Sequence, residues 1–270
     1  MGWPGGQSEM VALFQCLNVL PYRELIWHKA WADFQASAAR TYLGVVWWVL
    51  DPLLNMLVYY LVFGVFLGQR TEGFVPFLLV GIVAWRFFEA GLKQGSRAIL
   101  NSSGLVTQVA FHKIVFTFST LLTQALQMAF SLIPLAIVLA FTGIHPGPQV
   151  LLFPVVLAVE LLFIMGVAVP MAAILPLVPD LANLQDNLVR LLFYFSGIFY
   201  AGTSLPEPYQ TIFWLNPMGW LIHAQRQCLL DGEVPALAPL AAITAFSLVG
   251  IYAGAWITWK LDQTYGKRMV

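Results

Sequence analysis

Charge is what this sequence has least of. Of its 270 residues only 10% are Asp, Glu, Lys or Arg, while 60% are apolar; a soluble domain carries about 25% charged residues. So little charge cannot keep a surface in water, and lipid is the solvent that fits. Net charge is missing as well, 13 basic residues offsetting 13 acidic ones, so no whole-molecule field draws the chain to nucleic acid. Cysteine is scarce: Cys16 and Cys228 stand far apart, match no zinc or haem spacing and read as small apolar fillers, with no metal site. The start, MGWPGGQSEM, lacks the basic region and small-residue cleavage site of a signal peptide. We expect the chain to stay uncut and to enter the membrane through its own helices. Neither a short repeat nor a low-complexity tract is present.

Two enzyme-like patterns fall away on inspection. His28 and Asp33 are five residues apart, about 140° around a helix, and would not face each other. Gly266-Lys267 lacks the earlier glycine and the following Ser or Thr of a phosphate loop. No nucleotide site or bound cofactor of the chain's own is therefore expected.

What is present is apolar sequence in long runs. A spanning helix needs about 20 mostly apolar residues. Six stretches qualify: Tyr42 to Gly68, Phe74 to Leu92, Ile114 to Phe141, Val150 to Leu177, Leu188 to Ala201 and Ala236 to Trp259. The fifth is short, and extends outward or pairs with broken helix beyond it. Unpaired backbone is not tolerated in lipid, and continuous apolar runs exclude the alternation of barrel strands. The fold class is thus an all-α membrane domain of about six helices, one domain over residues 1–270.

Basic residues set its orientation. Arg23, Lys29, Arg40, Lys93, Arg97, Lys113, Arg190, Lys260, Lys267 and Arg268 fall on one side if the spans alternate, against Arg70 and Arg226 on the other. Both termini are therefore predicted to be cytoplasmic. Tyr22 to Arg40 interleaves Leu25, Trp27, Trp31 and Phe34 with Arg23, Lys29 and Arg40, which suits an amphipathic helix in the cytoplasmic interface, or else a surface helix packed on the bundle.

The first span holds the most telling residues. Asp51 lies about nine residues inside it, roughly 14 Å at the helical rise. A charge facing lipid there costs at least about 2.5–3.5 kcal/mol, so Asp51 must face protein or water, or be protonated. Pro52 should loosen the helix. Trp48, Asp51, Asn55 and Tyr59 recur at spacings of three and four and share a face. Arg190, Tyr194 and Gly197 share a face of the fifth span, beside Ser196 and Tyr200. Aromatic rings with polar edges suit sugars, covering C–H faces while hydrogen-bonding hydroxyls; the same rings also suit an aromatic belt at the membrane boundary. Arg86, Glu89 and Lys93 are spaced for a local ion-pair ladder. Glu160 has no evident sequence partner and reads equally as a proton site or an interhelical hydrogen bond. The segment Thr203 to Pro235, interrupted by Pro206, Pro208 and Pro217, suits two short helices dipping into the outer leaflet. Lys93 to Lys113 reads as a cytoplasmic connection with a turn near Gly104.

Taken in order, these features resemble the polysaccharide-export permeases of the ABC-2 transporter type, the O-antigen exporter (Wzm-like) permeases among them, with capsule and teichoic acid exporters similar. The carrying residues are Leu43-Gly44, Trp47, Pro52 and Phe63-Gly64; then Trp85, Phe87-Phe88, Gly95, Asn101 and Phe111; then Ser196 to Tyr200, Leu205-Pro206, Asn216-Pro217 and Arg226. The chain departs from that pattern at Ser37-Ala38, His112-Lys113 and Pro179-Asp180. The resemblance implies a homodimer in the bacterial inner membrane, in contact with membrane lipids, carrying two copies of a separate cytoplasmic ABC ATPase (Wzt-like) that holds the ATP and Mg. Its cargo would be a lipid-linked polysaccharide. Trp48, Asp51, Asn55, Tyr59, Arg190, Tyr194 and Tyr200 would line the channel. Asn101, Leu105, Phe111, His112 and Lys113 would couple to the ATPase, and Pro206, Asn216, Pro217 and Arg226 would form a re-entrant gate. Competing readings are an ABC-2 permease for a lipid, drug or teichoic-acid-type polymer, and an ATP-independent channel or proton-coupled carrier using Asp51 and Glu160.

Overall fold

The computed structural model describes residues 20–68, 73–102, 112–144 and 147–268. Leu105 and Phe111 lie outside them, as do Arg70, Gly104 and Cys16. After a short 3-10 turn, α1 covers Arg23–Ala39. Helix α2 covers Val46–Tyr59 and runs on in π-helical form through Tyr60–Phe66. Helices α3 (Phe74–Asn101) and α4 (Ile114–Phe141) follow, then α5 (Phe153–Ile174) behind a 3-10 lead-in, Pro148–Leu152. Helix α6 is Leu181–Phe195, α7 Glu207–Trp214 and α8 Pro217–Arg226, the last extended by a π-helical turn, Gln227–Asp231. Helix α9, Leu237–Arg268, closes the order.

Among the described residues, five helices are long and apolar enough to cross a membrane: Val46–Phe66, Phe74–Asn101, Ile114–Phe141, Pro148–Ile174 and Leu237–Leu261. The expected fifth span differs. Its helix starts at Leu181 and ends at Phe195, not Leu188 and Ala201. Fifteen residues reach about 22 Å, short of the ~30 Å hydrocarbon core. The helix stops because Gly197 takes a left-handed φ of +71°, which Gly adopts without strain. Its first half was hidden in sequence by Asn183, Gln185, Asp186 and Asn187, which lower the hydropathy of a helix with two dissimilar faces.

Helix α3 is the axis of the fold. In its most apolar stretch 72% is buried, against 11% for α2. Leu78, Leu79, Val80, Ala84 and Trp85 fill the core. Gly91 and Gly95 let α4 and α5 approach, for a side chain on either would meet Ile164, Leu121 or Ala168. Helices α5 and α9 pack more closely still, through Gly166, Ser247, Gly250 and Gly254. A Cβ on Gly250 would collide with the Gly166 carbonyl, and one on Gly254 would stand 2.5 Å from the Pro170 nitrogen. Small residues four apart are what lipid-immersed helices need to bring backbones together, since no hydrophobic force acts between them there.

Helix α1 spans 17 residues. Its apolar residues are spread around the helix, not gathered in one stripe, so the expected amphipathic pattern is weak. Ala30 and Phe34 are buried while Trp27 and Trp31 are exposed. Two bonds dock it on α4: the Thr123 hydroxyl donates to the Ala30 carbonyl (3.2 Å), and the Gln127 amide donates to the Ser37 hydroxyl (3.1 Å).

The α5–α9 contact generates one prediction. Gly250→Ile must push two backbones apart or strain both, at a typical overpacking penalty of about 1–3 kcal/mol. A lowered thermal midpoint of the detergent-solubilised protein is expected, and an unchanged midpoint would contradict this packing.

Candidate functional site

Pro52 sits inside α2 and has no N–H, so the Trp48 carbonyl one turn earlier loses its usual helical donor. Ser131 of α4 supplies a substitute, its hydroxyl donating to that carbonyl at 3.1 Å. The Trp48 ring follows this attachment, lying 4.9 Å from Phe34 and 5.6 Å from Phe130. Trp48 therefore faces α1 and α4, apart from Asn55 and Tyr59.

Asp51, one turn on, accepts from the Arg86 guanidinium of α3 at 2.7 Å, with the two side chains 42% and 40% exposed. At that exposure the pair adds little stability; its effect is to fix where both charges sit. The expected ladder is thereby revised. Glu89 pairs with Lys93 at 2.6 Å, while Arg86 turns across to Asp51 of α2.

Arg86 stands between two cavities. One, of about 80 Å³, holds Trp48, Asp51 and Gln124. The other, of about 440 Å³, is walled by α2, α3 and α6: Asn55 and Tyr59, then Trp85, Arg86 and Glu89, then Arg190, Phe193 and Tyr194. Four of the residues expected to line a channel, Asn55, Tyr59, Arg190 and Tyr194, are thus brought together. Tyr200 is not among them. It lines a third cavity, of about 560 Å³, with Phe74, Phe77, Phe199 and Asp231. Rings connect the two larger cavities. Tyr59 lies 5.7 Å from Phe193 and 4.9 Å from Phe199, and the Tyr200 hydroxyl donates to the Tyr194 carbonyl at 3.1 Å.

Helix α6 is held in register by groups that sequence reasoning passed over. Arg97 of α3 donates to Asp186 at 2.7 Å, and the Gln185 amide donates to the Leu92 carbonyl at 3.3 Å. The available signal was Asp186 itself, an acid one turn before Arg190 with a cation needed opposite it.

Beyond α6, the α7–α8 hairpin is tied down at two points. Asn216 caps α8 by accepting from the Met218 amide (3.0 Å), and its own amide donates to the Ser196 hydroxyl (2.9 Å); Pro217 then fills the first helical position, where a missing N–H is harmless. Pro206 precedes α7, its carbonyl accepting from the Tyr209 amide. Arg226 is 5% exposed and pairs with no carboxylate among the described residues. It donates to the carbonyls of Gly197 (2.7 Å), Ile198 (3.0 Å) and Phe77 (3.1 Å), with the guanidinium 3.3 Å over the Phe77 ring. Gly81 makes the room, since a Cβ there would stand 2.7 Å from the guanidinium. Arg226 thus clamps three segments, where the sequence suggested, by resemblance, a residue of a re-entrant gate and gave no partners for it.

Glu160 is fully buried and accepts from the Gln225 amide at 2.7 Å, the interhelical bond that sequence left open as one of two readings. Of the expected coupling residues, Asn101 ends α3 in an exposed position. His112 stands edge-on to Tyr22 at 6.1 Å, and Lys113 is buried at the start of α4. No metal-ligand cluster occurs among the described residues.

This architecture is matched by known proteins. Residues 24–230 fit the family described as ABC-2 type transporter. The chain is 31% identical over 239 residues to an O-antigen export system permease protein, RfbA, of Myxococcus xanthus, covering 87% of this chain and 92% of that relative. It is 23% identical over 204 residues to a protein of the same name from Klebsiella pneumoniae, covering 75% and 78%. To the polysialic acid transport protein KpsM of Escherichia coli it is 24% identical over 217 residues, covering 78% and 83%.

The Arg226 clamp can be tested directly. Arg226→Met removes the donors of at least three carbonyls, each costing about 1–3 kcal/mol when left unpaired. Amide hydrogen exchange across residues 203–235 should accelerate at least ~tenfold, with α5 and α9 unaffected. Unchanged exchange would show that the hairpin is held by its apolar packing alone.

Proposed function

The chain belongs to the ABC-2 type transporter family, whose members are transport subunits without a nucleotide site of their own, and from that membership we propose that it is the permease of an ATP-driven exporter of lipid-linked polysaccharide in the bacterial inner membrane, with O-antigen as cargo. The observation that carries this reading is the 440 Å³ cleft, where Tyr59, Trp85 and Tyr194 accompany Asn55, Arg86, Glu89 and Arg190. Ring faces cover sugar C–H surfaces and the polar edges reach hydroxyls. Stacking tolerates different sugars, so a polymer can slide without deep wells. The relative with the highest identity among those described is named for O-antigen export, which supports the cargo. Arg190 is exposed and pairs with no carboxylate among the described residues. That favours an acidic polysaccharide as the second reading, in keeping with the polysialic acid relative.

The working unit is a homodimer with two copies of a separate cytoplasmic ABC ATPase. Helix α2 exposes Leu54, Leu57, Val58 and Leu61, and α6 exposes Leu184, Leu188, Leu191 and Phe195. Apolar surface of that extent marks an interaction face or a lipid face. Turning both helices toward a second copy encloses the cleft between them, with α6 completing a sixth, short crossing. Both termini are cytoplasmic, in line with the basic-residue asymmetry. Helix α1 lies in the cytoplasmic interface; its support is the exposed, stacked pair Trp27 and Trp31 (6.2 Å) at a depth where indoles are favoured. Residues 93–113 take up ATPase motion through Asn101, Leu105, Phe111, His112 and Lys113. The α7–α8 hairpin, with Pro206, Asn216, Pro217 and Arg226, caps the outer end as a re-entrant element.

A paired substitution tests the sugar-sliding surface. Tyr59→Ala with Tyr200→Ala should reduce surface polysaccharide several-fold, since the double variant removes two ring faces that cover sugar C–H surfaces. Co-purification with the ATPase should persist. Undiminished surface polysaccharide in a strain complemented by the double variant would remove this assignment.

A further inference from the structure

A fourth cavity, of about 330 Å³, lies away from the cleft, between α1, the end of α3 and α4. Its polar wall includes Lys29, Asp33, Arg40, Asn101, Gln124 and Gln127. Two features set it apart from an ordinary solvated crevice. The first is Gln124, 3% exposed, whose side chain makes no hydrogen bond to the described residues and keeps its small accessible surface for this cavity and the small one beside Asp51. A buried amide is stable only when something accepts from it and donates to it, and here the space it adjoins is the place for that partner. The second is charge. Lys29 is neutralised by Asp33 at 2.7 Å, whereas Arg40 pairs with no carboxylate among the described residues. The cavity is left with one net positive charge and neutral donors in its wall: the Asn101 and Gln124 amides, and the Gln127 amide, one N–H of which goes to Ser37.

A neutral sugar would leave the Arg40 charge unused, and a cation would be opposed by it. A singly charged phosphodiester matches both the charge and the donors, because a guanidinium forms paired bonds to phosphate oxygens. The volume is at the lower end for a small-molecule site, enough for a headgroup with its acyl chains outside. We propose that this cavity binds the phosphodiester headgroup of a membrane phospholipid, held between α1, α3 and α4 by Arg40 and Gln124. The choice of lipid over free phosphate rests on the interfacial placement of α1 proposed above, which sets the cavity at headgroup depth, where phospholipid phosphate is abundant.

Native mass spectrometry of the full-length protein in detergent tests the site, with three probes: phosphatidylglycerol, diacylglycerol with the same acyl chains, and inorganic phosphate alone. One phosphatidylglycerol should be retained in preference to diacylglycerol. Arg40→Gln and Gln124→Leu should each weaken that retention about tenfold, the loss of a charge-assisted or buried hydrogen bond. Lys260→Gln, on α9, should leave it unchanged. Arg40 is exposed, so its variant keeps the test valid should Gln124→Leu fail to fold. Equal retention of diacylglycerol, or wild-type retention by Arg40→Gln, would overturn the proposal. Inorganic phosphate binding as tightly as the lipid would also overturn it, by making this a free-anion site. A bimane label at Leu25→Cys, in a chain with both native cysteines replaced by Ser, judges the placement of α1 separately. Quenching by headgroup spin-labelled lipid in reconstituted vesicles supports the interface. Absent quenching removes that placement, while the mass spectra still decide the headgroup site.

Discussion

Hydrocarbon neither donates nor accepts a hydrogen bond, so every polar group carried into a bilayer must find its partner inside the protein or beside water. Much of this fold follows from that constraint. Pro52 releases the Trp48 carbonyl, and Ser131 of another helix answers it. Gly197 ends α6 and leaves carbonyls behind, and Arg226 gathers them together with that of Phe77. Glu160, buried in α5, is met by Gln225 from the hairpin. In each case the polar group and the one that answers it lie on different elements. The compensating bond therefore doubles as the joint that positions one element on another.

The same rule locates the cleft. Asp51 and Arg86 remain two-fifths exposed even after pairing, and Asn55, Glu89 and Arg190 stand nearby on the same wall. Such a concentration of polar groups is costly against acyl chains. It becomes stable if water and a hydrophilic cargo occupy the space between copies. Helix α3, buried on nearly all sides, supplies a rigid back wall. Helices α2 and α6, each with few buried residues, present the surface that the proposed second copy would meet. The π-helical end of α2 adds an irregular turn next to the aromatic rings, a departure from α-helix often found at functional positions.

Long, evenly apolar segments were legible from sequence because hydropathy alone specifies them; the limits of α4 coincide with the expected Ile114 to Phe141. Elements that owe their place to tertiary bonds were less so. The polar first half of α6 reads as loop until Arg97 and the Leu92 carbonyl are known to face Asp186 and Gln185. Helical spacing grouped Trp48 with Asn55 and Tyr59, but the Ser131 bond to its carbonyl and the Phe34 and Phe130 rings hold it to the other side. The Gly250 and Gly254 contact was present in the sequence as a pair of glycines four apart, masked by the large apolar residues around it. Arg226 was visible as a lone cation in the outer segment. That its partners would be three carbonyls could not be read from sequence, since backbone acceptors leave no mark there.

The central claim is that the wall formed by Asn55, Tyr59 and Arg86 faces water between two copies, not lipid. Thiol accessibility in membranes measures this most directly. In a chain with Cys16 and Cys228 replaced by Ser, Asn55→Cys should react readily with a charged, water-soluble methanethiosulfonate reagent, whereas Ile137→Cys, on the exposed apolar side of α4, should not. An unreactive Asn55→Cys, or equal reactivity at the two positions, would contradict the account.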